Sequence, residues 1–185
     1  MSVFSSVTLI RNYEYMRFLF VTLVLSRRKK MNVSQRGIDL IKRYEGVILH
    51  SYLCPKGVLT VGVGHTGPDV TKDMVITEKE AENLLKKDLR KFEGKLNFSL
   101  EHDNVNLNQN QFDACISFIF NLGFSAFIFS TLYKKLKQGD YAGAGEEFLK
   151  WVYITKTDPK TGERVKIRLK GLETRRNAER DLFLS

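Results

Sequence analysis

The segment that decides the fold is Tyr44-Glu-Gly-Val-Ile-Leu-His-Ser-Tyr-Leu-Cys-Pro-Lys-Gly-Val-Leu-Thr-Val-Gly-Val-Gly-His65. Its Val, Leu, Tyr and Gly content over residues 48–66 predicts a small antiparallel sheet. Eight residues separate Glu45 from Cys54, and five separate Cys54 from Thr60. A carboxylic acid that faces a thiol and a hydroxyl across a small sheet could cleave a glycosidic bond. That reaction needs one group to protonate the leaving oxygen and another to activate or replace water.

The sequence before the sheet predicts a helix that ends at Glu45. Ser34 can cap its first turn, and Ile38, Ile41 and Tyr44 recur at helical spacing. A helix C-terminus is an unfavourable place for negative charge, because the negative pole of the macrodipole lies there. A general acid must hold its proton until the bond breaks, and burial in a cleft favours the protonated form. Glu45 is therefore a candidate general acid.

The rest of the chain is mainly helical in pattern. Thr77-x-x-Glu80 is a capping box that opens a long helix to about Leu96, and Asn108-x-x-Gln111 opens an apolar helix to Asn121. We expect an α+β fold, in which a small antiparallel sheet lobe lies beside a larger helical lobe with a cleft between them. The remaining predicted elements are helices over 130–138, 140–152 and 171–183, and an exposed hairpin or loop over 155–166.

Several ordered motifs resemble those of one known family. After Thr60 comes Gly62-Val-Gly64-His65, and later Phe120-Asn-Leu-Gly123, Ser130-Thr-Leu-Tyr-Lys-Lys-Leu136 and Gly171-Leu-Glu-Thr-Arg-Arg176. Together they resemble the phage-type lysozymes, glycoside hydrolase family 24. The pattern of that family is Glu, eight residues, Asp or Cys, five residues, Thr, then Gly-x-Gly-His. The resemblance covers roughly residues 31–185.

The resemblance implies an activity and a set of site residues. The chain would be a lysozyme-like endolysin that hydrolyses the β-1,4 bond between N-acetylmuramic acid and N-acetylglucosamine in peptidoglycan, lysing the host of a phage or prophage. Glu45 would donate the proton, and Cys54 and Thr60 would manage the attacking water or an intermediate. No cofactor is implied. The positions that would contact the sugar chain are Thr66, Phe120 and Ser130.

Alternatives remain open from the residues themselves. Cys54 could be a nucleophile, a water-positioning thiolate or an inert strand cysteine, while Phe120 also suits a core position and Ser130 a helix cap. A lytic transglycosylase would cleave the same bond without water. A wall-binding protein that lost activity through Asp→Cys at position 54 is the non-enzymatic alternative. Arg175 and Arg176 are expected to pair with Glu173 or Glu179 at helical spacing.

The charge of the chain and the spacing of its possible metal ligands limit the partners that it is expected to bind. Residues 1–30 contain six Lys or Arg and one Glu, so they carry +5 of the formal charge of +9. The mild positive charge of the remainder suits an anionic partner such as a bacterial envelope or a nucleic acid, but no recognised basic-aromatic motif for nucleic acid is present. His50, Cys54 and His65 lack convincing metal-ligand spacing. We expect peptidoglycan as the partner, no nucleic acid, no metal, and a monomer.

Residues 1–30 form an N-terminal extension to a catalytic domain over 31–185. Its apolar run over 18–25 is shorter than the roughly 20 residues that a membrane-spanning helix needs. The extension is either sequence upstream of a true start at Met31 or a weak signal-anchor. We expect the protein to be made in the host cytoplasm and to act on the cell wall or periplasm. Membrane contact is expected only through residues 18–25, and the export route stays open.

Overall fold

The computed structural model describes residues 29–185, and residues 31–185 form one compact unit. The apolar run over 18–25 lies outside the described residues, so the expectation of membrane contact is not addressed by the fold. Across residues 29–185, no helix is long and apolar enough to cross a membrane.

The described chain is mixed helical and sheet structure, which confirms the predicted α+β class. Helices dominate, and each of the two sheets is a two-stranded antiparallel hairpin. In chain order the elements are α1 (Gln35–Glu45), β1 (Ile48–Leu53), β2 (Leu59–Gly62), α2 (Glu78–His102), α3 (Gln109–Leu122), α4 (Phe124–Ile128), α5 (Thr131–Lys137), α6 (Tyr141–Glu147), a 3-10 turn (Phe148–Lys150), β3 (Tyr153–Thr157), β4 (Arg164–Arg168) and α7 (Lys170–Leu184).

Two apolar cores correspond to the sheet and to the helices. The larger core surrounds α3, whose residues from Phe112 to Ile119 are all buried. The smaller core joins Val61 of β2 to Ala81 at the start of α2. Helix α2 contributes to both cores, so it fixes the β1–β2 hairpin against the helical part of the protein.

The helix starts predicted from capping boxes are confirmed, and in each box the cap and its partner lie within one turn. Thr77 and Asn108 both form the predicted capping boxes. Helix α2 continues to His102 rather than ending near Leu96, because Leu100 prolongs its buried stripe.

The prediction for Ser34 is wrong in one respect. Ser34 occupies the N-cap position of α1, but its side chain makes no capping hydrogen bond. Its hydroxyl instead donates to the carboxylate of Asp113 on α3, and its backbone N–H donates to the same carboxylate at 2.9 Å. The start of α1 is therefore anchored to α3, whose residues from Phe112 to Ile119 are buried, and the helix is positioned by tertiary contact.

The exposed hairpin predicted near residues 155–166 is confirmed. Strands β3 and β4 pair in regular antiparallel register from Tyr153↔Arg168 to Thr157↔Arg164. At the tip, the Asp158 carboxylate accepts hydrogen bonds from the backbone N–H groups of Lys160 (2.7 Å) and Thr161 (3.3 Å). This is the local side-chain to backbone bonding that favours Asp in turns.

Candidate active site

Glu45 is the last residue of α1, and an arginine from the far end of the chain holds its carboxylate. Gly46 ends the helix with φ 80°, a backbone conformation that strongly favours glycine. Nη1 of Arg175 on α7 lies 2.5 Å from Oε1 of Glu45. The Glu45 side chain is 28% exposed, whereas that of Arg175 is only 4% exposed. A buried cation thus fixes a partly exposed carboxyl group. The burial that the sequence predicts for Glu45 is therefore only partial.

Arg175 is itself held in place by further bonds. Its Nε donates to Oε1 of Glu179 at 3.0 Å, and its Nη2 donates to the backbone carbonyl of Ser117 at 3.2 Å. The Arg175 guanidinium also lies 5.8 Å from the ring centroid of Tyr44, within the range of a cation–π interaction. The guanidinium therefore approaches Glu45 in a geometry set by α3 and α7.

A second buried arginine completes the network behind the acid. Nη2 of Arg176 donates to Oδ1 of Asn121 (3.0 Å) and to Oε1 of Glu179 (3.1 Å), and the guanidinium lies 5.0 Å from the centroid of the Phe118 ring. Arg176 Nε also lies 3.1 Å from Glu179 Oε2, without a hydrogen bond between these two atoms. That contact is an ion pair only.

Burial shifts the pKa values in this network. It lowers the pKa of Arg176 to about 10, a shift opposed by the charge of Glu179. This value leaves the guanidinium charged at neutral pH. Burial also raises the pKa of Glu179, while the charges of Arg176 and Arg175 oppose that rise. The sequence correctly indicated pairing between these arginines and Glu179, but it missed the contact from Arg175 to Glu45.

Cys54 and Thr60 come together at the turn of the β1–β2 hairpin. The turn is closed by hydrogen bonds from Cys54 N–H to the Val58 carbonyl (2.9 Å) and from Gly57 N–H to the Cys54 carbonyl (2.8 Å). Thr60 lies in β2 opposite Tyr52 and is 3% exposed. Its hydroxyl donates to the Val58 carbonyl at 3.0 Å.

The hairpin turn favours ionisation of Cys54. The backbone amides of Val58 and Lys56 lower the pKa of the thiol, and the Thr60 hydroxyl and the Lys56 charge act in the same direction against partial burial. A hydroxyl has one proton, and in the structure Thr60 donates it to the Val58 carbonyl. Donation to the sulfur is favoured once the thiol is ionised, because hydrogen bonds to charged acceptors are stronger.

His65 has a structural environment. Its Nδ1 lies 2.8 Å from a carboxylate oxygen of Asp88 on α2, and its Nε2 lies 3.2 Å from Asp69. Hydrogen bonds from Lys87 and His65 lower the pKa of Asp69 to about 2. Among residues 29–185, no three His, Cys, Asp or Glu side chains are grouped so as to hold a metal ion. His65 therefore ties the sheet to α2.

The three predicted sugar-contacting residues lie in different environments. Thr66 is exposed directly after His65. Phe120 is half-buried and packs edge-on against Phe92, with ring centroids 6.2 Å apart. Ser130 is buried and caps α5, because its hydroxyl donates to the Phe127 carbonyl (2.6 Å) and accepts from a backbone N–H of α5 (3.1 Å). Thr66 is thus the most accessible of the three.

Comparison with known proteins places this arrangement in a class. The family model for phage lysozyme matches residues 42–179. The endolysin of Acyrthosiphon pisum secondary endosymbiont phage 1 is 43% identical over 155 residues, covering 84% of this chain and 99% of the relative.

Solved structures support the same class. A P22 lysozyme mutant has a TM-score of 0.69 at 40% identity, covering 84% of this chain and 99% of that one. The muramidase domain of SpmX from Asticaccaulis excentricus has a TM-score of 0.71 at 30% identity, covering 83% and 98% respectively. The fold is that of a glycoside hydrolase of the lysozyme class. More specifically, the chain belongs to the phage lysozyme family.

Proposed function

We propose that the protein is an endolysin in which Glu45, Cys54 and Thr60 carry the catalytic chemistry. Membership of the family makes it a peptidoglycan hydrolase of the lysozyme type, acting on the bacterial cell wall. The bond cleaved is the β-1,4 linkage between N-acetylmuramic acid and N-acetylglucosamine. The observation that carries the residue assignment is the 2.5 Å contact between Arg175 and Glu45, because it fixes a partly exposed acid at a helix end.

Glu45 is assigned the role of general acid. The glycosidic C–O bond breaks, and the leaving oxygen takes the proton of the Glu45 carboxyl group while positive charge develops on the sugar. The bonds of Arg175 to Glu179 and to the Ser117 carbonyl do not involve Glu45, so they hold the guanidinium in place independently of it. When the proton leaves, the new carboxylate has a charged partner already in position, so no reorganisation is needed.

Cys54 and Thr60 are assigned to the second half of the reaction. A thiolate at Cys54 can accept the proton of the attacking water, or stabilise the developing positive charge on the sugar. Thr60 is buried in the strand that follows the Cys54 turn, and its hydroxyl is assigned to orienting either the thiolate or the water. In the balanced step, water adds to the anomeric carbon and gives one proton to the Cys54 thiolate; exchange with solvent then removes that proton from Cys54 and restores the one that Glu45 gave to the leaving oxygen.

Substitutions at Cys54 test whether an anion is needed there. Cys54→Asp should keep substantial activity, since it offers an anion from the same backbone position. Cys54→Ser should lose about a hundredfold, the contribution typical of a positioned acid or base, because a hydroxyl is not ionised near neutral pH. The rate of peptidoglycan clearing measures both.

Alkylation tests the same role of Cys54, and Cys115→Ser is the matched control. Iodoacetamide should inactivate the wild-type protein through Cys54, and Cys115→Ser should not prevent this. Cys115 is buried, and burial raises the pKa of its thiol, so it is unreactive. A fully active Cys54→Ser protein would leave Cys54 without an anionic role.

A protein that starts at Met31 should fold and clear peptidoglycan as the full chain does. The backbone N–H of Met31 donates to Oδ1 of Asn97 at 2.8 Å, and that of Val33 donates to Glu93 at 2.8 Å. The first residues of the shorter form are therefore already bonded to α2. Thermal unfolding and clearing rates of the two forms measure this. Insolubility or inactivity of the shorter form would contradict the expectation and assign residues 1–30 a structural role.

A further inference from the structure

The β3–β4 hairpin sorts its side chains onto two chemically different faces. Paired residues in an antiparallel ribbon share a face, and successive pairs alternate between faces. One face is apolar apart from Lys156, and consists of Ile154, Lys156, Val165 and Ile167. The opposite face, called here the basic face, consists of Tyr153, Thr155, Thr157, Arg164, Lys166 and Arg168. All three cations of β4 therefore point the same way.

The basic face is accessible. Every residue of β4 is exposed, and the two strands pack chiefly on each other. Arg168 forms an ion pair with Glu173 at 2.7 Å. Neither Arg164 nor Lys166 forms an ion pair with any residue in the described part of the chain. Two cations thus stand on one face without a described anionic partner.

The base of the hairpin adjoins the proposed acid. Glu173, the partner of Arg168, precedes Thr174, whose backbone carbonyl accepts a hydrogen bond from the Tyr44 hydroxyl at 3.2 Å. Tyr44 is the neighbour of Glu45, and Arg175 contacts the Glu45 carboxylate. These contacts connect the Arg168 end of the basic face, through the start of α7, to the helix end that carries Glu45.

We propose that the basic face binds the carboxylate-bearing peptide chains of the peptidoglycan strand held at Glu45. The proposal rests on the proposed function and extends it from the glycan to the peptides attached to the glycan. Residues two apart on a strand are separated by about 7 Å, so Arg164 and Lys166 present two cations to one extended peptide. Such peptides carry several free carboxylates, and their charge complements this face. Thr155 and Thr157 add hydroxyl groups that can bond the peptide amides.

A charge-matched pair of double variants tests the proposal. Arg164→Gln/Lys166→Gln removes two cations from the basic face, whereas Lys156→Gln/Lys160→Gln removes two from the apolar face and the tip of the same hairpin. All positions are exposed, so both proteins should fold. The substrates are purified peptidoglycan stripped of phosphate-containing wall polymers, and glycan strands from which an amidase has removed the peptides. Cosedimentation gives the affinity for the first, and the cleavage rate is measured on both.

The basic-face variant should bind the peptide-bearing peptidoglycan about fivefold more weakly, as expected for two exposed charge contacts. The difference should shrink at high salt. The cleavage rate of this variant on peptide-free glycan should equal that of the wild type. The control variant should match the wild type in both its affinity for peptidoglycan and its cleavage rate. An equal loss of affinity in the two double variants would overturn the proposal. The proposal would also fail if the basic-face variant lost as much cleavage rate on peptide-free glycan as on peptide-bearing peptidoglycan. If the basic-face variant binds more weakly only when the phosphate-containing polymers are left on the wall, the proposal is overturned and those polymers are the ligand of the basic face. If the wild-type protein cleaves neither of the two substrates, the result would instead contradict the proposed function.

Discussion

Peptidoglycan clearing should disappear when Glu45 is replaced by glutamine, while the fold remains intact. Glutamine keeps the shape of the side chain but has no acidic proton for the leaving oxygen. General acid catalysis contributes about a hundredfold or more to the rate, so residual activity should fall below about one hundredth of the wild-type rate. The side chain is partly exposed, and Arg175 keeps its bonds to Glu179 and Ser117. Circular dichroism and thermal unfolding should therefore change little.

Glu101→Gln is a suitable control for this experiment. Glu101 is an exposed glutamate near the end of α2, so the substitution removes the same charge from the protein. It should leave the clearing rate unchanged. Retention of more than about a tenth of the activity by Glu45→Gln would remove Glu45 from the mechanism, given the size of general acid catalysis.

The second large effect is expected on stability. Glu179 is fully buried and accepts hydrogen bonds from Ser117 (2.7 Å), Arg175 (3.0 Å) and Arg176 (3.1 Å). Glu179→Gln would leave two buried guanidinium groups facing a neutral amide. Removing one partner of a buried ion pair costs about 3 to 5 kcal/mol, and the melting temperature should fall by about 10 °C.

Glu173→Gln is the matched control on the same helix. Its carboxylate forms an exposed ion pair with Arg168, and such pairs contribute at most about 1 kcal/mol. Differential scanning calorimetry of both variants measures the contrast. If the two variants unfold at the same temperature, the buried network does not stabilise the fold in the way described.

Sequence patterns predicted those features whose causes are local. The capping boxes at Thr77 and Asn108 were predictable because donor and acceptor lie three residues apart. The pairing of Arg175 with Glu179 was predictable from its spacing of four residues. The exposed hairpin around Asp158 followed from its turn residues.

Features that depend on distant residues were not visible in the sequence. Ser34 was predicted to cap α1, yet its hydroxyl bonds to Asp113, which is 79 positions away. The contact of Arg175 with Glu45 joins residues 130 positions apart. The only indication of it was a pair of arginines on a helix that also carries Glu179. Such contacts follow from how α1, α3 and α7 pack, and no local pattern encodes that packing.

The roles of Cys54, Thr60, Thr66, Phe120 and Ser130 stay predictions. The fold brings Cys54 and Thr60 together at one turn, and the pKa of the Cys54 thiol is lowered there. Ser130 uses its hydroxyl to cap α5. That arrangement leaves Thr66 and Phe120 as the better candidates for sugar contacts, and alanine substitutions at those positions would separate substrate binding from folding.

The most direct test of the central claim is mass spectrometry of the products released from peptidoglycan in water enriched in oxygen-18. If Glu45 protonates the leaving oxygen and water completes the reaction, the new N-acetylmuramic acid ends should be reducing sugars that carry one oxygen-18 atom. Products ending in anhydro-N-acetylmuramic acid without oxygen-18 would contradict hydrolysis, because they form when the sugar's own hydroxyl, and not water, closes the reaction.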